Sequence, residues 1–204
     1  RRIEGALTVW QKDEKVWLEL APADFGRLFL LSPKTVSGLG ESRIFGGLMS
    51  GRGQAVSFRK VHNQVQLINP NLAYTAPAGS PEAHAVAAAF SPSLLASAPV
   101  ASAAHPQRQT VLVDAAALFV SDLPGLAGAL QRTYRQGYGF DPRNSALLRV
   151  RGKAGLTVFE VQNHYATANI AVPQPGGAPG APAPTVPGTL SDPRSLFLKM
   201  HYSL

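Results

Sequence analysis

Ala55-Val56-Ser57-Phe58-Arg59-Lys60-Val61-His62-Asn63-Gln64-Val65-Gln66-Leu67-Ile68 reads as two strands folded back across a two-residue turn. Val56 and Phe58 fall on one face with Val65 and Leu67, and polar residues alternate with them, the period of a half-buried strand. Asn63 is the turn residue suited to positive φ. A hairpin with one apolar face needs a second layer to cover it, so this stretch predicts an antiparallel, mainly β fold.

Working toward the N-terminus, Leu7 and Val9 lie on one side of Lys12-Asp13-Glu14, and Val16, Leu18 and Leu20 alternate on the other, a second hairpin. Ala21 to Phe25, with an early proline, predicts one helical turn before a strand at Leu28 to Leu31. Ser37 to Gly53 holds six glycines around Ile44, Phe45, Leu48 and Met49. A flexible loop carrying apolar side chains folds back onto something, which makes those four residues a candidate interaction surface.

Toward the C-terminus, Ser80-Pro81-Glu82 is a helix start, with Ser as N-cap, Pro at the first helical position and an acid in the first turn. Ala83, Val86, Ala87 and Phe90 then form a stripe predicted to lie on the sheet. Leu94 to Val100 and Thr110 to Asp114 read as extended. A second short helix follows Ser121 or Asp122, with Leu123, Leu126, Ala127 and Leu130 at helical spacing and Gly125 and Gly128 weakening it. Asp141-Pro142-Arg143-Asn144 marks a turn before a hairpin of Ala146 to Arg151 and Leu156 to Val172. Pro173 to Gly188 carries no charge and nothing apolar larger than Val186, so it is expected to be mobile. Ser195 to Leu204 resumes the strand pattern.

The expected fold class is therefore mainly β (α+β): an antiparallel sheet or sandwich-like β domain with two short helices and a Pro/Gly-rich loop. The expected organisation is a β-rich body over 1–172, a flexible excursion over 173–188 and a final strand of the same body over 189–204.

The 204 residues suffice for one core, and a hydrophobic fraction of 45% against 15% charged residues argues against disorder of the whole chain. No apolar run approaches the ~20 residues that span a bilayer, and no signal segment opens the chain. Arg1-Arg2 without a preceding Met, and an end at Leu204 inside a strand pattern, suggest a piece of a longer polypeptide, truncated before a further domain. The absence of cysteine excludes disulfides and thiolate chemistry. The net charge of +7 raises nucleic acid or an anionic surface as partners. Most cations are scattered, which argues against nucleic acid. Arg149, Arg151 and Lys153 alternate along one strand face and form the candidate anionic-ligand stripe.

Chemical motifs are missing. A helical zinc-hydrolase site needs His at i and i+4 with Glu beside the first. None of His62, His84, His105, His164 and His201 has another His four residues on, and none is followed by Glu. Gly47-Leu48-Met49-Ser50-Gly51 lacks the spacing of a nucleophile elbow, and the glycine pairs lack a phosphate-binding pattern. Asp114, Asp122 and Asp141 are too far apart in sequence to argue a carboxylate pair. Tyr134, Tyr138, Phe140 and Tyr165 read as a satellite hydrophobic cluster, with an aromatic-basic ligand surface beside Arg132 and Arg135 as the alternative. No catalytic residue, metal ligand or cofactor is assigned within this chain.

Several pieces in a fixed order resemble a known arrangement: Val16-Trp17-Leu18-Glu19-Leu20, Phe29-Leu30-Leu31, the Val56-Ser57-Phe58 and Val65-Gln66-Leu67 hairpin, Val111-Leu112-Val113-Asp114, and Asp192-Pro193-Arg194 through His201-Tyr202-Ser203-Leu204. Together they resemble the N-terminal domain of unknown function that precedes the catalytic domain in large exported bacterial zinc-dependent metalloproteases with a His-Glu-x-x-His motif. The resemblance implies a non-catalytic accessory domain of a secreted or periplasmic enzyme, supporting folding, latency or substrate engagement. It implies that the partner is the peptidase domain of the same polypeptide, that zinc belongs to that domain, and that this chain alone is not the enzyme. The alternative is a binding module for an anionic polymer or envelope surface.

Overall fold

The computed structural model describes residues 1–41, 44–48, 50–172 and 182–204. Met49 and the 173–181 part of the Pro/Gly-rich excursion lie outside the described residues. Among the described residues eleven strands form two antiparallel sheets, so the fold is mainly β. One sheet holds β1 (Arg2–Ile3), β2 (Thr8–Lys12), β3 (Lys15–Leu20) and β8 (Val111–Asp114), in the order β1-β2-β3-β8. The other holds β4 (Phe29–Thr35), β5 (Gln54–Val61), β6 (Gln64–Asn69), β7 (Ser93–Pro99), β9 (Gly139–Lys153), β10 (Leu156–Ala166) and β11 (Ser195–Ser203), in the order β7-β6-β5-β4-β11-β10-β9.

The hairpin that decided the fold class is β5–β6, with Phe58 opposite Leu67 and Val61 opposite Gln64. Val56, Phe58, Val65 and Leu67 are fully buried. The positive φ of its turn falls on His62 (51°), the first turn residue, and not on Asn63. The β2–β3 hairpin repeats this choice at Asp13 (52°).

Between the sheets lies one continuous core. Val9, Leu18, Leu20 and Val113 meet Phe58, Phe159, Val161, Met200 and Tyr202 from the larger sheet. A helix unforeseen in the sequence, α2 (Ala115–Phe119), adds Leu118 and Phe119 to this core, and Phe119 stacks on Phe159 at 4.0 Å. Asp114 starts it by accepting from the N–H groups of Ala116 and Ala117. The expected helix near Leu126 is α3 (Leu126–Tyr134), which covers a second cluster of Leu130, Tyr134, Tyr138, Tyr165, Leu196 and Leu198.

Two expectations need correction. The helix α1 (Pro81–Ala89) is capped by Ser80 Oγ as predicted, yet it buries none of its residues. Three of the four stripe residues are alanine or valine, too little area to hold a helix on a sheet; only Phe90 gains a firm partner, stacking on Tyr74 at 3.8 Å. The described end of the Pro/Gly-rich excursion is also tied down. Thr185 N–H donates to Tyr134 O, Pro187 is buried, and Glu41 accepts from the N–H groups of Gly188 and Thr189 and from Tyr134 Oη.

The two sheets join along both long edges. At one, Val100 bridges to Val113 and Ala101 N–H donates to Leu112 O, so the β7 side runs into β8. At the other, no ladder among the described residues connects β1–β2 to β9–β10. Instead Thr157 Oγ1 accepts from Leu7 N–H (3.2 Å) and donates to Leu7 O (3.3 Å), fully buried. Gly5 and Gly152 permit this approach: a Cβ on Gly152 would collide with the Glu4 carbonyl, and one on Gly5 with Leu156 O.

This seam predicts a sharp difference between two small substitutions. Thr157→Val keeps the shape but leaves Leu7 N–H and C=O buried without partners, and is expected to cost about 1–3 kcal/mol in denaturant unfolding. Thr157→Ser, which keeps the hydroxyl, should cost clearly less; equal losses would show that the methyl packing, and not the hydroxyl, closes the seam.

Candidate functional site

The larger sheet has an inner face against the core and an outer face, and β9, β10 and β11 carry a polar constellation on the latter. His164 stands opposite Asp141 on β9 and opposite Phe197 on β11. Ser195 stands opposite Ala166, one row along on the same face as His164. Asp141, His164 and Ser195 thus come together from three adjacent strands.

A bulge makes the meeting possible. The β9–β10 register shifts between Gln162 and His164, and the extra β9 residues form a tight polar turn. Asp141 Oδ1 accepts from Arg143 N–H, Asp141 Oδ2 accepts from Asn144 Nδ2, and Ser145 Oγ donates to Asp141 O. Ser145 Oγ in turn accepts from His164 N–H at 2.8 Å. The Asp141 carboxylate, re-aimed by this turn, lies 2.9 Å from His164 Nδ1, and His164 Nε2 lies 2.7 Å from Ser195 Oγ. The carboxylate places the ring proton on Nδ1, so Nε2 accepts from the serine hydroxyl. The Asn144 amide, then the His164 ring, hold Asp141 below the usual carboxylate range.

Ser195 is placed by the turn before it. Arg194 makes a two-pronged contact with Asp192 (2.7–3.2 Å), which holds that carboxylate at about 2. The imidazole is buried and packs on Phe197 with ring centroids 4.6 Å apart, whereas Ser195 is exposed. Beneath this face, Asn163 Nδ2 donates to Ser121 O, and Tyr165 Oη donates to Asp122, whose carboxylate also caps α3 at Leu126 and Ala127. Burial, then the Asp122 charge, pushes the Tyr165 hydroxyl far above its ordinary value, so it stays a donor. The outer constellation therefore stands on a backbone pinned from below.

The candidate anionic-ligand stripe lies farther along the same face. Arg149, Arg151 and Lys153 point outward from β9, and the row Arg149–Glu160–His201–Lys34 crosses four strands. Arg151 is not a free cation: it lies 3.7 Å from Glu160, which His201 also contacts at 3.2 Å. Arg149, Lys153, Lys34 and Lys199 have no carboxylate partner among the described residues. The two strand histidines do not meet, because His164 pairs with Phe197 and His201 with Glu160.

The four loop residues of the candidate interaction surface separate. Phe45 and Leu48 are 51% and 56% exposed, but Ile44 is buried in the second cluster beside Leu39. Ile44 therefore anchors the loop and does not present a surface. Elsewhere, a cleft of about 480 Å³ lies beside Glu19, whose carboxylate is already taken by Trp10 Nε1, Thr110 Oγ1 and Arg108.

Sequence reasoning missed the Asp141–His164–Ser195 constellation because its members are 23 and 31 residues apart and match no local motif. The one available signal was the turn pattern Asp141-Pro142-Arg143-Asn144, which the structure places inside β9 as a bulge that redirects side chains. Comparison of the chain with family models, with curated proteins and with solved structures gives no match.

Proposed function

We propose that this chain is the N-terminal accessory domain of a secreted or periplasmic bacterial zinc metalloprotease, carrying none of the peptidase chemistry, and that it contacts the peptidase domain of the same polypeptide through the Phe45–Leu48 loop. The ordered resemblance of its strands to that domain motivates the reading, and one observation supports its contact surface. Two large apolar side chains stand exposed on a loop that is held in place. Thr35 N–H donates to Leu48 O (2.9 Å), Gly47 N–H to Thr35 O (2.7 Å) and Ser50 N–H to Pro33 O (3.1 Å), while Leu39 and Ile44 are sunk in the core. A loop fixed before binding loses little entropy when it docks, so its apolar area goes into affinity. Zinc, in this reading, is held by the following domain.

A second reading, a module for an anionic polymer or envelope surface, is favoured by the outer face. Arg149, Lys153, Lys34 and Lys199 surround a single carboxylate, Glu160, that Arg151 and His201 already occupy. Spacing of about 6.6 Å along a strand and 4.8 Å across it suits repeated phosphate or sulfate groups.

The two readings separate experimentally. For the first, Phe45→Asp should leave the thermal midpoint of this chain within a few degrees, because Phe45 is exposed, and weaken its binding to the downstream domain of the same gene about tenfold or more by calorimetry. Unchanged binding, or a downstream sequence without His-Glu-x-x-His, contradicts it. For the second, the chain should be retained on immobilised heparin in a salt-dependent way. Reversing Arg149 and Lys153 to Glu should then abolish that retention; salt-insensitive or unaltered retention argues against the basic face.

A further inference from the structure

We propose that Ser195 is a nucleophile activated by the His164–Asp141 pair, and that it accepts acyl groups from small, unhindered esters. The inference is independent of the accessory-domain reading, since it needs no second domain.

The relay runs in the productive direction. With its proton on Nδ1 facing Asp141 at 2.9 Å, His164 turns the Nε2 lone pair to Ser195 Oγ at 2.7 Å, the arrangement in which imidazole takes the hydroxyl proton and the carboxylate stabilises the resulting imidazolium. It is also held ready. His164 is 7% exposed, its ring packed against Phe197, and its main-chain N–H is fixed by Ser145 Oγ. Asp141 is set by the Asn144 and Arg143 contacts within the bulge. Such preorganisation removes reorganisation from the proton transfer.

Ser195 itself is open to a ligand. It is the first residue of β11, and the β4 pairing begins only at Met200, so among the described residues the strand edge beside Ser195 and Phe197 has no ladder partner on that side. Thr167 N–H donates to Arg194 O, which makes Thr167–Arg194 a bonded pair and turns the next N–H, that of Ser195, away from β10 toward this free edge. Among the described residues it makes there one long hydrogen bond, 3.4 Å to Asp192 O. The oxyanion that forms beside Oγ takes the nucleophile's own N–H in exchange for this long, weak bond. Phe197, 47% exposed and on the same face, supplies an apolar platform for the acyl or leaving group.

The reaction balances without a further reactant except water. Ser195 Oγ bonds to the ester carbonyl carbon as its proton passes to His164 Nε2. Collapse breaks the carbon–alkoxy bond, and His164 returns the proton to the departing alcohol. Water then attacks the acyl-serine with the same proton transfers, releasing the acid and restoring the serine. A single main-chain donor makes turnover slow, since each missing oxyanion donor costs about 10²–10³ in rate. Formation of the covalent adduct is therefore the readout.

The test exposes the folded wild-type chain to a fluorophosphonate probe, in which Oγ–P forms and fluoride leaves, and maps the adduct by mass spectrometry. The expected result is one adduct on the peptide containing Ser195, absent in Ser195→Ala. Labelling should be slowed about tenfold or more in Asp141→Asn at an unchanged thermal midpoint. p-Nitrophenyl acetate should acetylate the same residue. No adduct on Ser195 of the wild-type chain, or labelling equally fast in Asp141→Asn, overturns the proposal; the wild-type measurement decides even if a relay variant fails to fold.

Discussion

One buried hydroxyl stands where a strand partner is missing. The two sheets each carry an apolar face, and those faces stay dry only if both long edges between them are closed. Along β7 and β8 the chain does this with main-chain bridges at Val100–Val113 and Ala101–Leu112. Along β1–β2 and β9–β10 no ladder forms among the described residues, and Thr157 answers both the N–H and the C=O of Leu7 with a single side chain. A buried main-chain pair without partners would cost more than any one methyl contact in the core, so the hydroxyl matters out of proportion to its size. Its own backbone exchanges two hydrogen bonds with Leu204, which couples the seam to the last strand of the larger sheet.

That closure decides what the outer face can carry. Tyr165, Leu196 and Leu198 point inward to the second cluster, so their neighbours His164, Ser195 and Phe197 point outward. The Asp122–Tyr165 bond and the Asn163–Ser121 bond fix β10 from within, while the bulge at Arg143 to Ser145 shapes β9 from without. Rigid strands on both sides hold three polar groups at hydrogen-bond distance, the imidazole shielded and the serine open to solvent. The same alternation sends Arg149, Arg151 and Lys153 outward and Val150 inward. Relay and basic stripe are thus two parts of one face, while the Phe45–Leu48 loop is bonded alongside Pro33 and Thr35 of β4.

Local periodicity made much of the fold legible. The β5–β6 hairpin, the β2–β3 hairpin and the Ser80 cap each depend on contacts within about a dozen residues, where alternation and capping chemistry speak directly. What stayed hidden depends on distant partners. The Thr157–Leu7 seam joins residues 150 positions apart, and nothing near Thr157 marks it as anything but one more strand threonine. The α2 helix, five residues of Ala115-Ala116-Ala117-Leu118-Phe119, is too short for a helical stripe to show. The candidate site was the least legible: Asp141 looked isolated because its partner is brought to it by register and a bulge, not by spacing. The α1 stripe misled in the opposite sense, since periodicity reports which residues could share a face but not whether their area repays docking.

Native-state hydrogen exchange of the Leu7 amide tests the closure most directly. If Thr157 closes the fold, Leu7 N–H exchanges only with the same opening free energy as the core amides of Val9 and Leu18, through cooperative unfolding of both sheets. Exchange of Leu7 through a low-energy local opening, with Val161 and Met200 still protected, would show that the four-stranded sheet detaches on its own and that the seam does not hold the structure together.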